Sequence, residues 1–290
     1  MKLLKKIKKF AAQPRDNYPN IYIFGYHVLK AFHKIILKFG FIKNNGRLKK
    51  DMFNWTLYNL HYKGELKEAK KNYTLTLMSG DYQFRNLQLA KHNENIKPLH
   101  PSHRFLYETI LQLNPQSVFE MGCGTGVHLH NLQTLLPKAI ICGVDLSHQQ
   151  LNGLKKTYPR MADSAKQADA TTHWTKLPFE ICDLTFTQAV IMHIHTGDAH
   201  LVALENLFKM AKKYVILYES MKNHHFLDDI KKLHLEKKIA WKNVFFYYRI
   251  NKETGLPAGL ICSPSYLNYP ELTDYNILIP TNNLNQKNNK

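Results

Sequence analysis

Cysteine is scarce in this chain: four residues among 290, at positions 123, 142, 182 and 262. No two stand at C-x-x-C spacing, so the sequence offers neither a disulfide framework nor a zinc site of the paired-cysteine kind. Sparse, unpatterned thiols suit a reducing compartment. Long apolar runs are missing too. Nothing approaches the roughly 18 uncharged residues that a membrane-crossing helix needs, and no transmembrane segment is expected. The start, Met1-Lys2-Leu3-Leu4-Lys5-Lys6, is basic but has no uninterrupted apolar stretch behind it, which argues against a secretory signal. These absences lead to the expectation of a cytoplasmic protein.

Acidic residues are also few, 22 against 40 lysines and arginines, for a formal charge of +18. The deficit is local. Residues 1–100 hold 20 basic and 6 acidic groups, whereas residues 101–290 hold 20 and 16. Leu3, Leu4, Ile7, Phe10 and Ala11 share one face of a predicted helix, with lysines on the other. A second helix is expected from about Ile21 to Lys38, with Phe24, Val28, Phe32, Ile35 and Phe39 on its apolar side. Such basic amphipathic helices can lie at an anionic membrane surface or pack on their own protein. Residues 1–99, which include Trp55, Tyr58, Tyr62 and Tyr73, are read as a mainly helical, basic extension that caps the following domain. The Asn-rich stretch 281–290 is read as a disordered tail.

The region 100–280 alternates in period. Pro101 and Ser102 open a helix. Apolar strands are expected at 117–121, 139–145, before Asp169, at 183–190 and at 214–219, with helices between them. This is the pattern of a parallel sheet covered on both faces. Val244 to Tyr248 and Gly259 to Cys262 suggest a closing hairpin. The first strand ends in Glu120-Met121-Gly122-Cys123-Gly124-Thr125-Gly126. Glycine lets the backbone turn tightly and approach a ligand without Cβ interference. The G-x-G-x-G spacing differs from the G-x-G-x-x-G of dinucleotide sites. A carboxylate two residues before the first glycine repels a pyrophosphate but attracts an ammonium group. Asp145, ending the second strand, is placed to bond a ribose diol. S-adenosylmethionine offers both groups.

On these residues the chain resembles the class I S-adenosylmethionine-dependent methyltransferases. The glycine loop matches their first motif and Asp145 their ribose-binding acid. Asp169-Ala170, Leu177-Pro178-Phe179 and Asp183-Leu184 resemble the "DA…LPF…D-apolar" blocks of the type-11 branch. Ala189 to Ile194 resembles its fourth-strand end. The resemblance implies a Rossmann-like α/β fold, with a mostly parallel seven-stranded sheet, helices on both faces and a terminal antiparallel hairpin. It implies a cofactor site made from Glu120, Gly122, Cys123, Gly124, Gly126, Asp145, Leu146, Asp169, Ala170 and Gln188.

Methyl transfer to a hydroxyl needs a nearby proton acceptor. His193, His195 and Glu219, at strand ends, are the candidates. His100 and His103 flank Pro101 and are read chiefly as helix-start residues within reach of the pocket. His224, His225, Asp228 and Asp229 form the best acid–histidine cluster, read as a solvated helix start, and no metal is expected. The phrase Leu184 to Ile194 resembles small methylases of surface-sugar biosynthesis. The expected reaction is therefore O-methylation of a sugar in a surface glycan or lipid-linked precursor, with residues 1–42 beside the inner face of a membrane. RNA or a small metabolite is the alternative acceptor, and a non-catalytic, membrane-associated protein that binds S-adenosylmethionine is the alternative from another class.

Overall fold

The computed structural model describes residues 67, 69–221, 223–250 and 257–275, all within the compact unit Trp55–Lys290. The amphipathic stretches expected in residues 1–42, the aromatics Trp55, Tyr58 and Tyr62, and the tail 281–290 lie outside the described residues. Among the described residues no helix is long and apolar enough to cross a membrane.

A hairpin comes first, β1 (Tyr82–Arg85) and β2 (Gln88–Lys91). Helix α1 (Pro101–Leu113) has proline in its first turn, where no amide partner is lost. It stops at Asn114, whose left-handed conformation lets its N–H cap the carbonyls of Ile110 and Leu111. There follow β3 (Ser117–Met121), α2 (Val127–Leu135), β4 (Ile140–Asp145), α3 (His148–Thr157), β5 (Ala165–Gln167) and β6 (Cys182–Gln188). The chain continues through α4 (Ala199–Lys209), β7 (Ala211–Tyr218), α5 (Phe226–Leu235), β8 (Phe245–Ile250), β9 (Pro257–Ser263) and β10 (Leu272–Asp274). Helix α3 starts where the Ser147 hydroxyl accepts the Gln150 N–H, and Lys155 and Lys156 lie at its negative end.

The main sheet has the order β10-β8-β9-β7-β6-β3-β4-β5. Strands β3 to β7 are parallel, and β8, β9 and β10 pair antiparallel beside them. The sheet thus has the expected parallel centre and closing hairpin. It carries eight strands rather than seven, because Leu272–Asp274 pairs with β8 through too short a segment to show a period-2 pattern.

Alternation divides the strand side chains between two cores. Val118, Ile141, Leu184, Phe186 and Ile216 pack on α1, α2 and α3. Phe119, Met121, Cys142, Val144, Val215 and Leu217 pack on α4 and α5. Leu106, Ile110, Leu129 and Leu132 are fully buried in the first core, each contributing about 1.5–3 kcal/mol of transfer free energy. The same parity sends Glu120, Gln188 and Tyr218, at the strand ends, to the α1–α2 face.

The cap boundary expected at residue 99 does not coincide with a break in packing. Leu77, Tyr82, Leu89 and Leu99 belong to the first core. Glu108 of α1, itself buried, accepts the Leu89 N–H and Arg104 Nε on one oxygen and Arg249 Nη2 on the other. Arg249, from β8, also donates to the Leu87 carbonyl. Hairpin, first helix and late strand are thereby clamped together. A charge count of residues 73–99 hides this, since the hairpin joins the clamp through the backbone groups of Leu87 and Leu89.

Candidate functional site

The glycine loop leaves β3 over the edge of β4. The Gly122 and Cys123 amides both donate to the Val144 carbonyl, and Gly126 donates to Cys123. Gly122, Gly124 and Gly126 all have positive φ. A Cβ on Gly122 would stand 2.3 Å from Val190, and one on Gly126 2.5 Å from Leu154. One on Gly124 would meet nothing within 4 Å. The loop is thus walled on two sides and open at its middle glycine.

Asp145 grips this loop. One oxygen accepts the Gly124 N–H at 2.8 Å and the other the Ser147 N–H at 2.7 Å. Burial raises its pKa, partly offset by those two bonds. Beside it, Leu146 is 54% exposed, an uncovered apolar side chain at a strand end. The next loop is tied in: Ala168 N–H donates to the Asp145 carbonyl, and Asn206 of α4 donates to the carbonyls of Ala170 and Thr172. Asp169 accepts the amide and hydroxyl of Thr171 on one oxygen. Cys123 is buried, and burial followed by the Glu120 and Asp145 charges pushes its thiol up.

Glu120 is 1% exposed, and its Oε2 has no hydrogen-bond partner. Burial, then the Asp145 charge, holds its carboxyl well above the usual range. An unpartnered buried acid next to an open glycine turn fits a ligand that brings a cation and hydroxyls. The site residues therefore fit S-adenosylmethionine.

The expected bases are placed differently from one another. Glu219 is committed to structure. Its Oε1 accepts the Thr187 hydroxyl and the Val190 and Ile191 amides, and its Oε2 accepts the Met192 amide. It fastens the turn after β6. The spacing could not show this, because three of the four donors are backbone amides 27 to 29 residues away. His193 sits in that turn, half-buried; burial, then His195, lowers its pKa to about 4. His195 lies 5.3 Å from the His224 ring, which stacks on His200 at 4.2 Å. Among the described residues no group of three or more histidine, cysteine or acidic side chains is arranged to hold a metal ion.

A polar cluster that the sequence reading did not assemble fills the α1–α2 face. Asn131 Oδ1 accepts the Leu77 N–H, which fixes its amide orientation, and Nδ2 donates to the Tyr107 hydroxyl at 2.9 Å. Tyr107 Oη stands 2.7 Å from His128 Nδ1. Burial lowers the His128 pKa to about 4, and the nearby Gln188 side chain opposes it. The ring of His103 lies 4.6 Å from that of His128. His103 and Tyr107 are one helical turn apart, and His128 directly follows the glycine loop. Those spacings were the available signal.

A cavity of about 360 Å3 lined by Leu77, Tyr82, Phe84, Leu111 and Leu135 lies at the far ends of α1 and α2, away from these acids.

Residues 118–213 match the family model described as "Methyltransferase domain". No curated protein matches the chain in sequence. Among solved structures, a bacterial Hen1 methyltransferase domain is 21% identical, with coverage of 56% of this chain and 97% of that one, at a TM-score of 0.41. Magnesium protoporphyrin IX methyltransferase of Synechocystis, solved with S-adenosylmethionine bound, is 15% identical over 57% and 80%, at 0.41. A TehB-like S-adenosylmethionine-dependent methyltransferase from Corynebacterium glutamicum is 12% identical over 71% and 96%, at 0.46.

Proposed function

We propose that this chain, a class I S-adenosylmethionine-dependent methyltransferase, methylates a hydroxyl of a sugar in a surface glycan or its lipid-linked precursor. The observation that carries the substrate class is the lining of the α1–α2 face beside the glycine loop. His103 Nδ1 and Gln188 Oε1 are buried, neutral and without partners, and suit a hydroxylated acceptor more than a polyanion. The resemblance of Leu184 to Ile194 to surface-sugar methylases supports the same reading. S-adenosylmethionine supplies a methyl group on a sulfonium, which leaves as a neutral thioether. Glu120 takes its ammonium, Asp145 its ribose hydroxyls, and Asp169, Leu146 and Ala170 its adenine. Gly122, Cys123, Gly124 and Gly126 pass under its amino-acid part, with Gln188 at the acceptor side. The first amides of α2, unpaired within the helix, suit its carboxylate.

The excess positive charge in residues 1–100 supports a location beside anionic lipid at the inner face of a membrane. The same charge favours RNA as a second acceptor reading. Binding of the whole chain to anionic vesicles, together with labelled-methyl transfer to sugar acceptors, supports the first. Salt-sensitive RNA binding without vesicle binding supports the second.

Calorimetric titration tests the cofactor site. Asp145→Ala removes the ribose acceptor and the Gly124 anchor together. It is expected to weaken S-adenosylhomocysteine binding by about 100-fold, since two charge-assisted hydrogen bonds at ~1.5 kcal/mol each are lost. Unchanged affinity in a folded variant refutes the assignment.

A further inference from the structure

His103 is 6% exposed, and its Nδ1 is buried without a hydrogen-bond partner. The Leu75 carbonyl is the backbone group that opposes the lowering of its pKa. That carbonyl is itself held by Asn131 Nδ2 at 2.8 Å. The His103 ring is enclosed by those of His100 at 5.5 Å, Tyr107 at 5.8 Å and His128 at 4.6 Å. With its single proton on Nε2, the neutral ring presents a lone pair on Nδ1. A buried, unsatisfied acceptor of this kind is costly, and a ligand hydroxyl would satisfy it. The residue lies in the first turn of α1, on the helix end nearest the glycine loop, and contacts the His128 ring whose orientation Tyr107 and Asn131 fix.

We propose that Nδ1 of His103 accepts the hydroxyl proton of the methyl acceptor, so that His103 is the catalytic base and the acceptor pocket lies between the starts of α1 and α2. This rests on the O-methylation reading above. The hydroxyl oxygen forms the new O–CH3 bond, the carbon–sulfur bond breaks with its electron pair going to sulfur, and the hydroxyl proton moves to Nδ1. One positive charge is lost from the sulfonium and one appears on the imidazolium. A dry pocket therefore acquires no extra charge. Burial, then the neighbouring His128 and His100, keeps the free ring neutral and the lone pair available.

The test uses the full chain with methyl-labelled S-adenosylmethionine. The hydroxyl probes are the methyl glycosides of glucose, galactose, mannose and rhamnose. His103→Gln keeps an amide for the Leu75 carbonyl, and His103→Asn keeps one near Nδ1, but neither has a basic nitrogen. Both are expected to lose about 100-fold or more of transfer, with S-adenosylhomocysteine affinity unchanged, whereas His193→Asn keeps most of it. Nitrogen-15 imidazole spectra of wild type are expected to show His103 Nδ1 unprotonated and shifted by the glycosides. Transfer at the wild-type rate in either His103 variant, a larger loss in His193→Asn, or a proton on Nδ1 overturns the assignment. If wild type methylates no glycoside, the sugar reading fails. The spectra then decide His103 separately: a protonated Nδ1 overturns it and a bare Nδ1 sustains it.

Discussion

Glu120→Gln is expected to strengthen the empty protein and weaken its hold on S-adenosylmethionine. The carboxyl of Glu120 is buried, lacks a partner on Oε2 and titrates well above its ordinary range because of burial and then Asp145. The folded chain therefore retains a proton that the unfolded chain releases near the ordinary glutamate pKa of about 4.3. The sign follows. The stability of the ligand-free protein declines as pH rises from that value to the raised folded pKa, and above it the full cost is imposed. Removing the charge should recover about 1 kcal/mol or more at neutral pH, seen as a melting temperature higher by about 2–4 °C. Binding has the opposite sign. The ligand's ammonium favours the carboxylate, so wild type should release protons on binding and bind tighter with rising pH. The variant should bind about tenfold or more weakly, with no proton release from this site. Calorimetry in buffers of different ionisation enthalpy measures the release. Its absence in wild type, or a lower melting temperature in Glu120→Gln, sinks the account.

Glu219→Ala should be among the most damaging changes outside the apolar core. It strips acceptors from the Thr187 hydroxyl and three consecutive amides. Those amides hold Val190, whose side chain leaves no room for a Cβ on Gly122. A loss of about 3–5 kcal/mol is expected, or about 6–20 °C in melting temperature, with looser cofactor binding as Gly122 loses its wall. Glu219→Gln can satisfy Oε1's donors, but sets an NH2 against the Met192 N–H. It should cost about half as much. A base role predicts another result: Glu219→Gln would fold and bind like wild type and fail only in transfer.

These two acids show what the sequence made legible. Glu120 could be read because motif and strand parity agree: an acid ending an apolar run must leave the sheet where the glycine turn begins. The sheet was legible for a similar reason. The strands β3 and β4 are largely apolar runs, β6 alternates apolar and polar residues, and their helices repeat at helical spacing. The hydrogen bonds of Glu219 were not legible, because most of its partners are main-chain amides, which carry no residue-type signature. The Asn131–Tyr107–His128 relay was hidden similarly. Its members occupy positions that, by period, face the core, where such residues read as ordinary packing. The eighth strand escaped because three residues are too few to establish alternation.

The Glu108–Arg249 clamp bears on heredity as much as on stability. The region that matches the family model begins at Val118, yet the folding unit reaches back at least to the hairpin at Tyr82. A gene fragment that starts at Val118 would lose Glu108 itself, together with the Leu87 carbonyl and Leu89 amide that partner this ion pair. It would leave Arg249 without its carboxylate beside an uncovered apolar face. The recognisable domain is thus not a portable module in this protein. Recombination that exchanges this domain among relatives would have to carry the hairpin with it, so the hairpin and the family-matched sequence are expected to be inherited as one piece.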